Sequence, residues 1–510
     1  MAEFTKRRFL QASAGLGLTA VPYLSLTGLA NAGDIAFPGD PFQLGIASGA
    51  PTSDSIILWT RLINKNGLPP QDIPVSWQLS RKPDMSDVIV SGEAPAKAGF
   101  AHSVHIDVKG LAPGKPYWYQ FYVAGIASPI GRTKTLPAEK DIQHCRFASV
   151  SCQNYTHGYY TAYQGIIDDD PDFVLHLGDY IYEKSFGGAV RRFPSTSPPQ
   201  TLNDYRNWHA FHKLDPQLQA AHAALPFILT LDNHDSTEDR RHDLHALRAA
   251  AYQAWYEHMP VRNFWQRDSA AINLASRVVV GDLLSLHILD TRQFRDNQNI
   301  CSGSASLEQG FGNYRMPCPE RLNDARQILG AAQMETLTAS LTEAKTLWTS
   351  LASTVPFAPY QFYSGEEERF YIGAWDGYPA ARQTITQALT TAKPENFVVV
   401  SGDVHSSWAV DLRQKASDAD TAYGTELIGT SISSNWPEPL ARPMRDSLSF
   451  NPHVRFQDLS NRGYLLHDIT RKKWTTTFKT VADVSQPKSH ISTAKTGTIL
   501  SGKPGFADLF

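Results

Sequence analysis

One repeated feature constrains this chain more than any other: an apolar run that stops abruptly in metal-binding side chains. Phe173-Val-Leu-His-Leu177 runs into Gly178-Asp179, with Tyr182 three residues on. Phe227-Ile-Leu-Thr-Leu231 runs into Asp232-Asn-His-Asp235, and Phe397-Val-Val-Val-Ser401 into Gly402-Asp-Val-His405. Arg146-Phe-Ala-Ser-Val-Ser151 runs into Cys152-Gln-Asn154. Mostly apolar runs closed by turn residues read as buried central strands. Open α/β sheets place their ligands at the C-terminal ends of such strands. A single strand ending in Gly-Asp is an ordinary turn. Four endings that offer Cys, Asp, Tyr, Asn and His predict one converging site.

The donor types suggest two ions. Cys152, Tyr182 and His405 suit a charge-hungry trivalent ion, because thiolate and phenolate are anionic ligands that would neutralise Fe³⁺. Asn233 and Asp403 are oxygen donors, suited to a harder divalent ion such as Ca²⁺ or Mg²⁺. Asp179 is central, and its carboxylate can bridge both. Two ions about 3.5–4 Å apart would clamp the oxygens of a phosphoryl displacement and provide an activated hydroxide. Taken singly, each residue has a plainer reading: Cys152 and Tyr182 as core, Asp403 and His405 as a solvated turn, Asn233 as a helix cap.

Around these strands the chain changes texture. Residues 37–137 read as all-β, with short strands such as Ser55-Ile-Ile-Leu-Trp-Thr60 and Tyr117-Trp-Tyr-Gln-Phe-Tyr-Val123 between turn residues. Gly110-Leu-Ala-Pro-Gly114 ahead of Tyr117 and Tyr119 is similar to a fibronectin type III-like β-sandwich. Thr133 to Asp141 reads as a polar linker. Residues 142–485 alternate strand and helix, which predicts an α/β catalytic domain. Helices are expected at about Tyr159 to Ile167, Asp204 to Ala223, Arg241 to His258 and Ala331 to Lys345, and a hairpin at Gly281-Asp282. Residues 486–510 read as a polar C-terminal tail.

The N-terminus carries Lys6-Arg-Arg8, an apolar stretch from Ala12 to Leu29 and the small-residue site Ala30-Asn-Ala32. This predicts a signal peptide at residues 1–32 and export. Thr5-Lys-Arg-Arg-Phe-Leu10 resembles a twin-arginine signal, making that translocase a partner during export to the periplasm or medium. An oxidising compartment permits a Cys301–Cys318 bridge, worth about 3 kcal/mol in the chain-entropy model; two free thiols are the alternative. A net charge of −3 gives no basis for a nucleic-acid surface.

Gly-Asp-x-x-Tyr, then Asn-His-Asp, then Gly-Asp-x-His resembles the calcineurin-like metallophosphoesterases. Ser151-Cys-Gln153, Asp-Tyr-Ile-Tyr-Glu183 and Gly402-Asp-Val-His405 are similar to the alkaline phosphatase D (PhoD-like) family within them. Phe42-Gln-Leu-Gly-Ile-Ala-Ser-Gly49, Leu58-Trp-Thr-Arg-Leu62, Leu289-Asp-Thr-Arg292 and Trp375-Asp-Gly-Tyr378 extend the resemblance along nearly the whole mature chain. The resemblance implies a β-sandwich followed by an α/β/β/α metallophosphoesterase domain, and phosphate release from monoesters and diesters. It implies Fe³⁺ held by Cys152, Asp179, Tyr182 and His405, and one or more Ca²⁺, the first held by Asp179, Asn233 and Asp403. His234 would face the substrate. Asp235 stands where the family carries a longer Glu, which bears on any second calcium.

Arg382 is the candidate phosphate clamp, with Arg292 its rival, since a guanidinium matches phosphate oxygens. His209-x-x-His212 and His242-x-x-His245 have metal-like spacing but read as helix-surface histidines. Gly497-Thr-Ile-Leu-Ser-Gly-Lys503 imitates a phosphate loop and fails for want of a following Ser or Thr. Expected substrates are small phosphoesters, with phospholipid or polymer diesters further candidates, and the chain is expected to be monomeric. Phospholipase D-like headgroup cleavage, or a catalytically dead envelope binding protein, are the alternative readings.

Overall fold

The structure, a computed structural model, describes residues 36–193, 197–236, 245–262, 271–298, 300–301, 314–343, 345–364, 366–414, 422–436 and 438–510. The expected signal peptide and His242 lie outside them.

Strand Phe173–His176 is buried along its whole length because it has a strand on each side and a layer on each face. It pairs in parallel with His144–Val150 and with Pro226–Leu229. These three form the centre of a ten-stranded sheet. Beyond His144–Val150 the sheet continues antiparallel through Arg462–Thr470, Lys473–Val481, Ile491–Leu500 and Lys503–Leu509. A second sheet of seven strands carries Asn396–Ser401 at its centre, between Trp348–Ala352 and Gly424–Ile428.

The two sheets face each other across an apolar core that includes Phe147, Phe173, Leu175, Leu286, Trp348, Val398 and Leu465. Helices Ala162–Asp169, Leu202–Lys213, Pro216–Ala224 and His245–His258 supply the core on the outer side of the first sheet. Helices Ala331–Thr342 and Pro379–Ala392 do the same for the second. The result is a helix–sheet–sheet–helix arrangement. The expected single helix from Asp204 to Ala223 is two helices. Pro216 has no N–H to continue the first, and Asp215 caps the second by accepting from Gln217 N (2.9 Å) and Leu218 N (3.0 Å).

The β-sandwich is present but does not stand apart. Strands Val88–Ala96, Ile73–Ser80 and Pro116–Val123 form one of its sheets. Ile46–Gly49, Ser55–Arg61 and Ser103–Lys109 form the other, with a shared core of Ile56, Leu58, Val75, Leu79, Tyr119 and Phe121. That second sheet is the far end of the ten-stranded sheet, joined through the parallel pairs Ser48↔Pro226 and Gly49↔Phe227. Trp59 Nε1 donates to Glu257 O (3.0 Å), and the His105 ring stacks on Tyr256 at 4.6 Å.

Two stretches correct the sequence reading. The expected linker starts inside strand Gly131–Lys134 and buries Leu136 in the inter-sheet core. The expected polar tail folds into Ile491–Leu500 and Lys503–Leu509, which end the large sheet. The phosphate-loop imitation is therefore a β-hairpin turning at Ser501-Gly502. Cys301 and Cys318 are bridged, with Cα atoms 5.4 Å apart.

Candidate metal centre

Parallel register brings the first two strand ends to one edge. His176 lies opposite Val150, so Cys152 and Asp179 emerge side by side, and Cys152 N donates to Gly178 O (3.1 Å). Gly178 has φ +94° and lies so close to Asp232 that an added Cβ would sit 2.5 Å from its backbone nitrogen, so the third strand end packs on the second. At Gly402 an added Cβ would meet Ser151 Oγ at 2.6 Å, which joins the two sheets at their ends. Cys152, Asp179, Asp403 and His405 all have φ between 49° and 71°. Backbone held in this region by a non-glycine residue is costly and persists where its surroundings over-determine it.

Cys152 Sγ lies 3.5 Å from Asp179 Oδ2, Tyr182 OH 3.2 Å from the same oxygen, and Tyr182 OH 3.0 Å from His405 Nε2. Ligand atoms of Cys152, Asp179 and His405 fall within 4.8 Å of one another. His405 Nδ1 donates to Asn435 O (2.8 Å), which turns Nε2 toward the cluster. On the other side of Asp179, Oδ1 accepts from His234 N (3.0 Å). There Arg292 donates to Asp403 Oδ1 (2.9 Å) and Asn233 Oδ1 (3.3 Å), while Tyr371 OH donates to Asp403 Oδ2 (2.6 Å). The five other expected ligands thus surround Asp179 on two sides.

Burial raises Asp179 to about 6 and Asp403 to about 8, and it pushes the Cys152 thiol and Tyr182 phenol up as well. It lowers His405 to about 3. Four groups that could become anions therefore resist ionising together unless a cation offsets them. Thiol, phenol, imidazole and carboxyl around one point fit a trivalent ion, and amide and carboxyl oxygens fit a hard divalent one.

Three residues matter more than the sequence suggested. Asp235 is buried, and its carboxylate accepts from Asp179 N (2.8 Å), Tyr180 N (2.8 Å), Ile181 N (3.1 Å) and Asp232 N (2.9 Å). It staples the two turns that carry the candidate ligands Asp179 and Asn233, and both its oxygens are engaged by backbone amides. Glu183 Oε2 lies 2.7 Å from His234 Nδ1, and the His234 ring stacks on Tyr182 at 4.3 Å. Arg292 grips Asp232 through Nε and Nη2. Burial opposes the Asp232 charge, and Arg292 outweighs it, keeping the carboxyl below its ordinary value.

Arg382 is not where it was expected. It pairs with Asp376 Oδ1 (2.7 Å) and Phe357 O (3.1 Å), which fastens its own helix to the preceding turn. Arg292, in contrast, stands among the candidate ligands, donating to Asn233 and Asp403. His209 and His212 are fully buried rather than on a helix surface, and burial lowers His212 to about 3.

Residues 147–478 match the family model "PhoD-like phosphatase", and residues 28–137 match "PhoD-like phosphatase, N-terminal domain". The chain is 36% identical to Alkaline phosphatase D of Bacillus subtilis (strain 168) over 518 residues, covering 96% of this chain and 86% of that protein. A solved structure of PhoD is 34% identical with a TM-score of 0.85, covering 93% of each chain. A purple acid phosphatase from yellow lupin seeds shares the fold at TM-score 0.54 with 13% identity, covering 88% of this chain and 73% of that one. With the family model spanning more than half of the chain and the Bacillus subtilis relative 36% identical over most of both lengths, the chain belongs to the PhoD-like phosphatase family and is a phosphoric ester hydrolase.

Proposed function

We propose an exported phosphoesterase that acts on phosphomonoesters and phosphodiesters through two ions. Cys152, Asp179, Tyr182 and His405 hold Fe³⁺, and Asp179, Asn233 and Asp403 hold Ca²⁺. The observation that carries this reading is the position of Asp179: one carboxylate oxygen faces the thiol and phenol, and the other faces the turn that bears Asn233. When bound, the ions would supply Lewis acidity toward the phosphoryl oxygens and a hydroxide near neutral pH.

The chain's own residues do the rest. With Nδ1 held by Glu183, His234 presents Nε2 to the leaving oxygen and protonates it. Arg292 stays paired with Asp232 and offsets the charge of Asp403, which keeps the turns that bear Asn233 and Asp403 in place. The Cys301–Cys318 bridge supports export, since such bonds persist in oxidising compartments. Lys6-Arg-Arg8 supports the twin-arginine route.

The test is elemental analysis of the purified chain, with turnover on one monoester and one diester. About one iron per chain is expected, and both esters should turn over. Chelation should remove activity, and Ca²⁺ should restore it better than Zn²⁺. Zinc as the sole metal, with full rescue by Zn²⁺ and none by Ca²⁺, refutes both ion assignments.

A further inference from the structure

Beyond Glu183 the chain leaves the cluster in a short loop, and the loop is tied down. Gly188 N donates to Ser185 O (3.0 Å), Thr156 Oγ1 to the same oxygen (2.9 Å), and Val190 N to Thr156 O (3.0 Å). These bonds hold Phe186 at φ 49°, a left-handed backbone that suits glycine or asparagine far better than an aromatic residue. The fold nevertheless leaves this ring 44% exposed instead of burying it. Isolated exposed apolar residues are common and need no explanation. This one differs in its neighbours. Its ring packs edge-to-face on His234 at 4.8 Å and on Tyr182 at 5.9 Å. The Lys184 ammonium lies 4.5 Å from its centroid, a cation–π contact that ties the exposed ring to its own loop.

We propose that Phe186 is the wall of a leaving-group subsite that takes flat aromatic groups, such as the aryl part of an aryl phosphoester. This rests on the phosphoesterase reading, with His234 serving the leaving oxygen. A group bonded to that oxygen leaves beside the His234 ring, and the half-exposed Phe186 ring packs edge-on against that ring. A flat group can stack on Phe186 or meet its edge, and it covers apolar area on both partners. A small alkoxide such as glycerol is too short and too polar to gain from it. The subsite sets preference among leaving groups and takes no part in bond breaking.

Steady-state kinetics of the metal-loaded enzyme on p-nitrophenyl phosphate and on glycerol phosphate test this. Phe186→Ala should raise KM for the aryl ester about tenfold with kcat nearly unchanged, a typical effect of losing one aromatic contact with its buried area. KM for glycerol phosphate should stay within about twofold, because that ester draws nothing from the ring. Phe186→Tyr should restore the aryl KM, and Phe186→Leu, which refills the volume without a π face, should fall between. An equal loss on both esters would overturn the proposal, since Phe186 would then only support His234. No change on either would overturn it as well. A wild-type enzyme inactive on both esters would sink the phosphoesterase reading, and the subsite with it.

Discussion

The two sides of Asp179 are built on different principles. The side that holds Cys152, Tyr182 and His405 gathers soft and anionic donors around one carboxylate oxygen. The side that holds Asn233 and Asp403 already contains a protein cation, the Arg292 guanidinium, spread over Asp232, Asn233 and Asp403. One side is electrostatically incomplete until an ion arrives; the other is partly balanced by the fold. A buried arginine also competes with an incoming divalent ion for the Asp403 oxygen, so the second ion should be the weaker and more exchangeable of the two.

The largest test of this contrast is Asp179→Asn, which touches both sides. Turnover should fall by more than about a hundredfold with the fold intact, because the charge shared by both ions is gone. Normal turnover with normal metal content would overturn the site as described. Cys152→Ser touches one side only. It should strip iron, read by elemental analysis, while Ca²⁺ binding by calorimetry persists; loss of both ions together would mean that the two sides are not separable. His234→Ala should leave both ions in place and slow turnover by about 10²-fold or more, most on poor alkoxide leaving groups. Glu183→Gln should follow the same leaving-group pattern with a smaller loss. If His234→Ala slows aryl and alkyl esters equally, His234 stabilises charge rather than donating a proton.

The smallest effect is on stability. In metal-stripped protein the folded pKa values of Asp179 and Asp403 are raised to about 6 and about 8 from 3.8. The folded state therefore binds more protons than the unfolded state between those values. The two carboxyls' own contribution to stability should fall as pH rises from about 4 toward 8 and level off above, where both states are ionised. Buried histidines such as His405 and His212, lowered to about 3, slope the other way, so the fall is read as the difference between metal-stripped wild type and Asp403→Asn. Denaturant titrations across that range check it, and metal-loaded protein should show little of the slope.

The clustering of the candidate ligands was legible because each follows an apolar run, so strand and donor are read together. What holds them was not. Asp235 works through backbone amides 54 to 56 positions away, and Arg292 through carboxylates 60 and 111 positions away. No local pattern encodes such pairings. Arg382 misled for the opposite reason: it follows a family-like stretch, and its partner Asp376 is a near neighbour that claims it. The final hairpin went unread because strands at the end of a sheet carry polar residues on both faces, so the period-two signal fades.

The sheet that runs unbroken from the sandwich into the catalytic layers has a consequence for how the chain reaches its native state. Strand Ile46–Gly49 finds its parallel partner Pro226–Leu229 about 180 residues later, and Arg462–Thr470 closes on His144–Val150 from over 300 residues away. Such distant closures make folding slow and leave strand edges open meanwhile. During synthesis the N-terminal strands must wait, unpaired on that side, until the chain has passed Leu229. Deleting the sandwich would bare the Pro226–Leu229 edge one step from Asp232, so aggregation, rather than a clean smaller enzyme, is the expected product of truncation.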